Sequence, residues 1–175
     1  MRSPELIGRG FSEAMPLSHF DAEGASQMVN VGAKPATQRV ARATAKVTMQ
    51  PATLTLIKNR KLAKGDVFEV SRLAGIMSAK RTSELIPLCH VLPLEGVEIS
   101  FELENDSTVK IESRVETFAK TGVEMEALTA AAIAALTLYD MCKSVDRKMT
   151  IGQIRLEEKA GGQSGHFVRQ DEEHN

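Results

Sequence analysis

Asp140 and Lys143 stand three residues apart at the end of a long apolar stretch. On a helix that spacing puts a carboxylate and an ammonium on one face, where the plain outcome is a weak ion pair. The residues before them change the weighing. From Ala127 to Tyr139 the chain carries no charge, with Leu128, Ile133, Leu136 and Leu138 set among alanines and only Thr129 and Thr137 as polar interruptions. A helix apolar nearly all round is buried on all sides, as an interface between copies of the chain would bury it. Opposite charges leaving such surroundings cost desolvation energy unless they are paired or open into a polar cleft. There a carboxylate has its pKa raised by desolvation or lowered by the lysine, and either shift serves acid–base chemistry. Asp140 and Lys143 are the first candidates for catalysis.

Three further sets of residues carry chemical potential. Lys64 precedes Gly65 at the start of a helix, where unpaired N–H groups and the helix dipole favour an anion such as phosphate. A solvated loop lysine is the equal alternative. Lys80 and Arg81, at the far end of that helix, fit a simple complement to its dipole. In Pro87-Leu88-Cys89-His90 a thiol and an imidazole are neighbours. Adjacent residues on extended backbone point to opposite faces, so a shared metal or a nucleophile–base pair is a weak reading. What speaks for His90 is its titration near neutrality, set against the commoner structural histidine.

The elements that must position these groups follow from periodicity and punctuation. Thr121 and Glu124 form a T-x-x-E capping box that opens the long helix. From Arg39 to Met49 small or apolar residues alternate with polar ones, the two-residue period of a half-buried strand. Pro51 to Lys58 suits a short helix with proline in its first turn. A second helix starts with Asp66 as N-cap and runs to about Ser83, and Pro87 blocks its continuation. Val97, Ile99, Phe101 and Leu103, then Val109, Ile111, Ser113 and Val115, flank Asn105-Asp106-Ser107 as a β-hairpin with an exposed polar face. After the long helix, Thr150 to Lys159 makes the last strand. The order is that of a ferredoxin-like β-α-β-β-α-β fold of the α+β class, an antiparallel sheet with helices on one face.

The chain is expected to form one domain over residues 28–168, with a poorly ordered lead-in over 1–27 and an acidic tail over 169–175. Met15 offers an alternative start. With 22 basic and 23 acidic side chains the net charge is −1, which gives no global attraction to nucleic acid or to an anionic membrane. Small-molecule partners are expected. Cys89 and Cys142 lack C-x-x-C spacing, and free thiols beside eight Met suit a reducing cytoplasm. No export signal opens the chain, and the 13 uncharged residues of the alanine-rich helix are too few to span a bilayer, so a soluble cytoplasmic protein is expected.

The chain resembles the molybdenum cofactor biosynthesis protein C family, the cyclic pyranopterin monophosphate synthases. The likeness rests on several blocks in order. They are Lys64-Gly65-Asp66-Val67, Ala74-Gly75-Ile76, Ala79-Lys80-Arg81-Thr82 and Leu85-Ile86-Pro87-Leu88-Cys89-His90, then the unbroken run from Thr121 to Ala130, Tyr139-Asp140-Met141-Cys142-Lys143 and Gly161-Gly162-Gln163-Ser164-Gly165. The similarity they anchor extends from about Ser18 to Val168. The resemblance implies a cytoplasmic enzyme that rearranges a cyclised dihydro-GTP to cyclic pyranopterin monophosphate and releases pyrophosphate. It also implies a homo-oligomer, a hexamer built as a trimer of dimers, with active sites between subunits. By motif, Lys64, Asp140 and Lys143 match catalytic positions, and Leu88, Cys89, His90, Met125 and Glu126 match substrate-binding ones. Arg39 and Lys159 fall where further basic contacts to the phosphates are expected. No dedicated metal site is implied, although Mg²⁺ commonly accompanies a triphosphate. Two positions depart from the pattern: Asn30 where Asp is usual, and His166 where an acidic residue is common.

Helix geometry bears on that picture independently. Glu126 and Asp140 are 14 residues apart, or roughly 21 Å along a straight helix, too far for one compact nucleotide to touch both. An antiparallel pairing of this helix across a two-fold axis would bring the two ends into shared sites and bury the apolar middle. Rival readings are an RNA-binding module, for which sheet aromatics and a basic surface are needed, and a regulatory domain that binds a small ligand without turnover. The hairpin offers only Phe101 and a glutamate-rich polar face.

Overall fold

Period-two alternation becomes strand β1 (Thr37–Thr48), whose Ala41, Ala43, Ala45 and Val47 are fully buried on one face. The computed structural model describes residues 23–59, 65–163 and 165–170. Most of the lead-in (1–22), Lys64, Ser164 and the end of the acidic tail (171–175) lie outside the described residues.

Helix α1 (Pro51–Lys58) opens with proline in its first turn, where a missing N–H is harmless. Helix α2 (Val67–Ala79) is capped as expected, the Asp66 carboxylate accepting from the N–H groups of Phe68 and Glu69 at 3.1 and 3.2 Å. It does not run to Ser83. Lys80 is its C-cap, Arg81 leaves the helical region (φ −117°, ψ 14°), and a separate turn, α3 (Thr82–Leu85), follows. Hydroxyl groups end it: Ser78 Oγ donates to the Gly75 carbonyl at 2.8 Å and Thr82 Oγ1 to that of Ala79 at 3.0 Å, serving carbonyls of the last turns.

Strands β2 (Gly96–Leu103) and β3 (Thr108–Ala119) form the hairpin, with Asn105 Oδ1 accepting from both the backbone N–H and the hydroxyl of Ser107 across its turn. The long helix is α4 (Glu124–Cys142), and β4 (Thr150–Ala160) completes the βαββαβ series. A short edge strand that periodicity did not reveal, β5 (Phe167–Val168), adds to β4. The sheet order is β2-β3-β1-β4-β5 with every pairing antiparallel, which is the ferredoxin-like α+β arrangement.

Small residues set the spacing of the two layers. Ala127, Ala130, Ala131, Ala134, Ala135 and Leu138 of α4 are fully buried over the sheet, and Ser113 Oγ on β3 donates to the Ala127 carbonyl at 2.7 Å. Where α2 crosses α4, a Cβ on Gly75 would lie 2.9 Å from the Ala130 carbonyl oxygen and 3.3 Å from the Ala134 methyl, so only glycine permits that approach. Phe101 stands opposite Ile111 on this inner face, its ring centroid 4.8 Å from that of Phe68. It is therefore no exposed platform for bases. The outer face is charged but internally matched: Arg42 reaches Glu112 at 2.9 Å and Glu158 at 3.0 Å, and His166 lies 2.8 Å from Glu158.

Two expectations about α4 are corrected. The helix starts at Glu124 with Val123 as N-cap and no side-chain cap, so Thr121 and Glu124 make no capping box. Thr121 lies two residues too early, and the Glu124 carboxylate folds against Gly122 instead. Nor is the helix buried all round within one chain: Leu136 is exposed, and Leu128 and Ile133 are only partly covered. By length and composition α4 does pass as a membrane-crossing helix, yet over half of it is buried inside this fold.

Candidate functional site

Antiparallel pairing of β1 with β3 sets Thr37 beside Ala119, which brings the segments before β1 and after β3 together at one end of the sheet. The start of α4 and the Gly161-Gly162 loop after β4 meet them there. Between these segments lie two adjoining cavities of about 490 and 240 Å³ that share Lys34, Thr121, Gly122 and Glu124 as walls. They form one cleft.

The larger half is basic. Lys34, Arg39 and Lys120 border it, and their three positive charges stand against one nearby carboxylate, Glu124. Arg39 is held by its own donors, Nε to the Ala119 carbonyl and an Nη to that of Lys120, both at 3.3 Å. Gly161 (φ +98°) and Gly162 (φ +74°) wrap this guanidinium in a conformation other residues seldom adopt; a Cβ on Gly162 would strike it, and one on Gly161 would strike the Gln38 carbonyl. Lys120 Nζ donates to the Gly32 carbonyl at 2.7 Å, and Asn30 Oδ1 accepts from the Gly32 N–H at 2.8 Å. That is a turn bond which an aspartate there would make equally well. Lys159, paired with Ala41, shares the sheet face and the sheet end of Arg39 but is not among the residues that border the cleft.

The smaller half gathers Leu88, Cys89, His90, Met125 and Glu126, the five residues matched to substrate binding. Cys89 and His90 do not face apart, because this is not extended backbone: a turn closed by the Cys89 N–H on the Ile86 carbonyl lets both border the cavity. His90 Nε2 lies 2.8 Å from the Val29 carbonyl, which fixes the proton on that nitrogen. Glu126 is only 4 % exposed. Burial lifts its carboxyl from 4.5 to about 7, its own backbone N–H opposing and Glu124 adding to the rise. Burial and the neighbouring Glu126 likewise push the Cys89 thiol up, away from the thiolate. Among the described residues no three His, Cys, Asp or Glu side chains converge as a metal-holding group.

Asp140 and Lys143 lie at the other end of α4. Their charged atoms are 2.6 Å apart and their side chains 55 % and 52 % exposed, so within one chain they are not enclosed by apolar surroundings. The hydrogen bond and charge of Asp140 hold the Lys143 pKa above its ordinary value. About 21 Å of helix separates this pair from Glu126. One chain thus gathers Arg39 with the five positions matched to binding and leaves Asp140 and Lys143 remote from them; Lys64 is outside the described residues. Lys34, Lys120 and Glu124 were not foreseen as cleft residues. The signal for the two lysines was the pairing of β1 and β3, which forces Lys34 and Lys120 together from opposite strand ends.

Known proteins align with this chain over nearly its whole length. A cyclic pyranopterin monophosphate synthase of Desulfitobacterium hafniense is 55 % identical over 157 residues, covering 90 % of this chain and 96 % of the relative. One of Heliobacterium modesticaldum is 56 % identical, covering 89 % and 99 %. One of Thermomicrobium roseum is 58 % identical, covering 90 % and 95 %. The MoaC family pattern matches residues 28–162, from the segment before β1 to the glycine loop at the cleft. With that match and those identities, the chain belongs to the MoaC family.

Proposed function

We propose that this protein is a cyclic pyranopterin monophosphate synthase, a lyase that rearranges a cyclised dihydroguanosine triphosphate to cyclic pyranopterin monophosphate and pyrophosphate in the cytoplasm. The observation that carries the reading is the polarity of the cleft: a cationic half continuous with a half containing a buried carboxyl and an imidazole. A triphosphate suits the first and a guanine-derived ring the second. Lys34, Arg39 and Lys120, with Lys159 nearby, offset the charge of the phosphates. Glu126 and His90 present a carboxyl and a ring to the polar edge of the base, while Leu88, Cys89 and Met125 wall it in. Mg²⁺ arrives with the triphosphate in this reading.

Asp140 and Lys143, with Lys64, supply the proton transfers. When a sugar hydroxyl forms its bond to the α-phosphorus, pyrophosphate leaves with the electrons of the broken P–O bond, and the hydroxyl proton passes to a base. Opening the nitrogen-bearing sugar linkage needs a proton donor. The 2.6 Å pair offers one carboxylate and one ammonium for these tasks. Because the pair is about 21 Å from Glu126, each working site takes its cleft from one copy and its pair from another. Val70, Leu73 and Met77 on α2 and Leu136 on α4 are exposed apolar side chains on the helical layer, which suits burial by a second copy. A trimer of such dimers is the assembly proposed.

Complementation in mixed oligomers tests this. Lys143→Ala keeps the cleft and Arg39→Ala keeps the pair, so each alone should release no pyrophosphate. Dissociated, mixed in equal amounts and reassembled, they should recover about a quarter of wild-type turnover, since half the dimers are mixed and each holds one intact site. No recovery in verified mixed oligomers, or wild-type turnover by Lys143→Ala alone, refutes the shared site.

A further inference from the structure

Asp146 is a buried carboxylate outside both the cleft and the catalytic pair, 6 % exposed in the turn after α4. The Lys148 charge adds to its stabilisation, but the groups that bond it directly are backbone N–H groups and a hydroxyl. Oδ2 accepts from the Gln50 N–H at 2.8 Å and from Thr53 Oγ1 at 3.2 Å, and Oδ1 accepts from the Lys148 N–H at 3.0 Å. Gln50 is the N-cap of α1 and makes no side-chain cap of its own. The cap of α1 is therefore supplied by a residue 96 positions away, with its negative charge at the positive end of that helix. These bonds also keep the carboxyl below its ordinary range, chiefly the one from Gln50, so the clamp stays ionised in mild acid.

The same residue ties down the turn that carries Lys143. Lys143 is the C-cap of α4, its N–H on the Tyr139 carbonyl at 2.8 Å, while the N–H groups of Val145 and Asp146 both reach the Cys142 carbonyl. Beyond Cys142 the helix no longer dictates the backbone. The Lys143 side chain is half exposed, so packing within the chain contributes little to its orientation. The turn is held by its helical bonds on one side, by Tyr139 Oη donating to the Arg147 carbonyl at 3.3 Å, and by the Asp146 clamp, which alone joins it to α1. We propose that Asp146 is a positioning residue for the catalytic pair, anchoring the Lys143 turn to the start of α1 so that the ammonium is presented in one orientation. The proposal rests on the catalytic reading of Lys143, because displacing a reacting group by about 1 Å can cost on the order of 100-fold in rate.

The test compares the full-length wild type with Asp146→Ala, Asp146→Asn, Lys143→Ala and, as a destabilised control, Val109→Ala in the buried core of β3. Two readouts are taken: steady-state pyrophosphate release, and the pH midpoint for acylation of Lys143 followed by mass spectrometry. The expected result is that Asp146→Ala lowers kcat about 10- to 100-fold with KM nearly unchanged and moves the Lys143 midpoint down as its hold on Asp140 loosens. Asp146→Asn, which keeps an acceptor for Gln50, should recover much of both. Val109→Ala should melt lower yet keep the wild-type kcat and midpoint. If Asp146→Ala leaves kcat and midpoint as Val109→Ala does, the residue is only a helix cap and the proposal is overturned. Wild-type turnover by Lys143→Ala would instead overturn the catalytic reading; the midpoint shift still decides whether Asp146 positions the lysine.

Discussion

Replacing Glu126 with glutamine removes a carboxyl that the fold holds at about 7 instead of 4.5. Its burial is the largest cause, so the folded protein binds a proton that the unfolded chain has already released between those values. A raised folded pKa contributes stability that is complete below the unfolded value and is lost as pH rises through the folded one. Over that interval the loss amounts to roughly 3 kcal/mol, at about 1.4 kcal/mol per tenfold. Glutamine keeps the shape and carries no charge at any pH. Urea unfolding of wild type and Glu126→Gln at a series of values from about pH 5 to about pH 8.5 should therefore show the two converging in acid and glutamine gaining roughly 3 kcal/mol in base. Ligand binding reports the same carboxyl from the other side. If donors on a guanine-type ring require the carboxylate, wild-type affinity should weaken by up to about tenfold per pH unit below 7, and the variant should lack that slope. Every other side chain is the same in both proteins, so the difference between them isolates Glu126. A stability difference independent of pH would refute the desolvation argument.

The glycines at the two ends of the fold give sharper, smaller tests. Gly162→Ala forces an L side chain into φ +74° against the Arg39 guanidinium, which should cost about 1–2 kcal/mol in stability and raise KM for the triphosphate with kcat retained at saturation. Steady-state kinetics beside a urea melt would check it. Gly75→Ala gains about 1 kcal/mol of helix propensity but drives a methyl into the Ala130 carbonyl and the Ala134 side chain, where overpacking costs roughly 1–3 kcal/mol. A net drop in melting temperature is expected, and an unchanged or higher one would mean that α2 can ride away from α4 freely.

Sequence periodicity was sufficient wherever one physical signal acted alone. The alternation from Arg39 onward, the Pro51 start and the hairpin around Asn105 all reappear as elements close to their expected limits, with β3 running four residues past Val115. Misreadings arose where two signals competed. Thr121 and Glu124 have capping-box spacing, but the chain uses that turn to wall the cleft and starts the helix later. The hydroxyls of Ser78 and Thr82 stop α2 at a point its apolar pattern passes over. Strand β5 spans two residues, too short for a period, and is pinned by Arg169, which donates to the Leu156 carbonyl at 2.8 Å. For the site, residues clustered in one motif were legible, and Leu88 through His90 and Met125-Glu126 do share a cavity. Lys34 and Lys120 were not, because nothing local links residues 86 apart until β1 and β3 pair.

The alanine content of α4 is what would make the divided site proposed above workable. Small side chains on the helix meet Ala41, Ala43 and Ala45 of β1, so the rod lies close against the sheet and its two ends have fixed positions relative to the cleft. Bulkier residues would hold the same helix farther off and let it tilt. The interval from Glu126 to Asp140 then acts as a ruler of about 21 Å, and one residue more or less would swing the pair by about 100° around the axis. In a two-fold assembly any such change is applied twice, once in each copy, so both sites move out of register together. In the proposed assembly the helix that fills the core of one chain would thereby also fix the distance and the angle at which two chains share their chemistry.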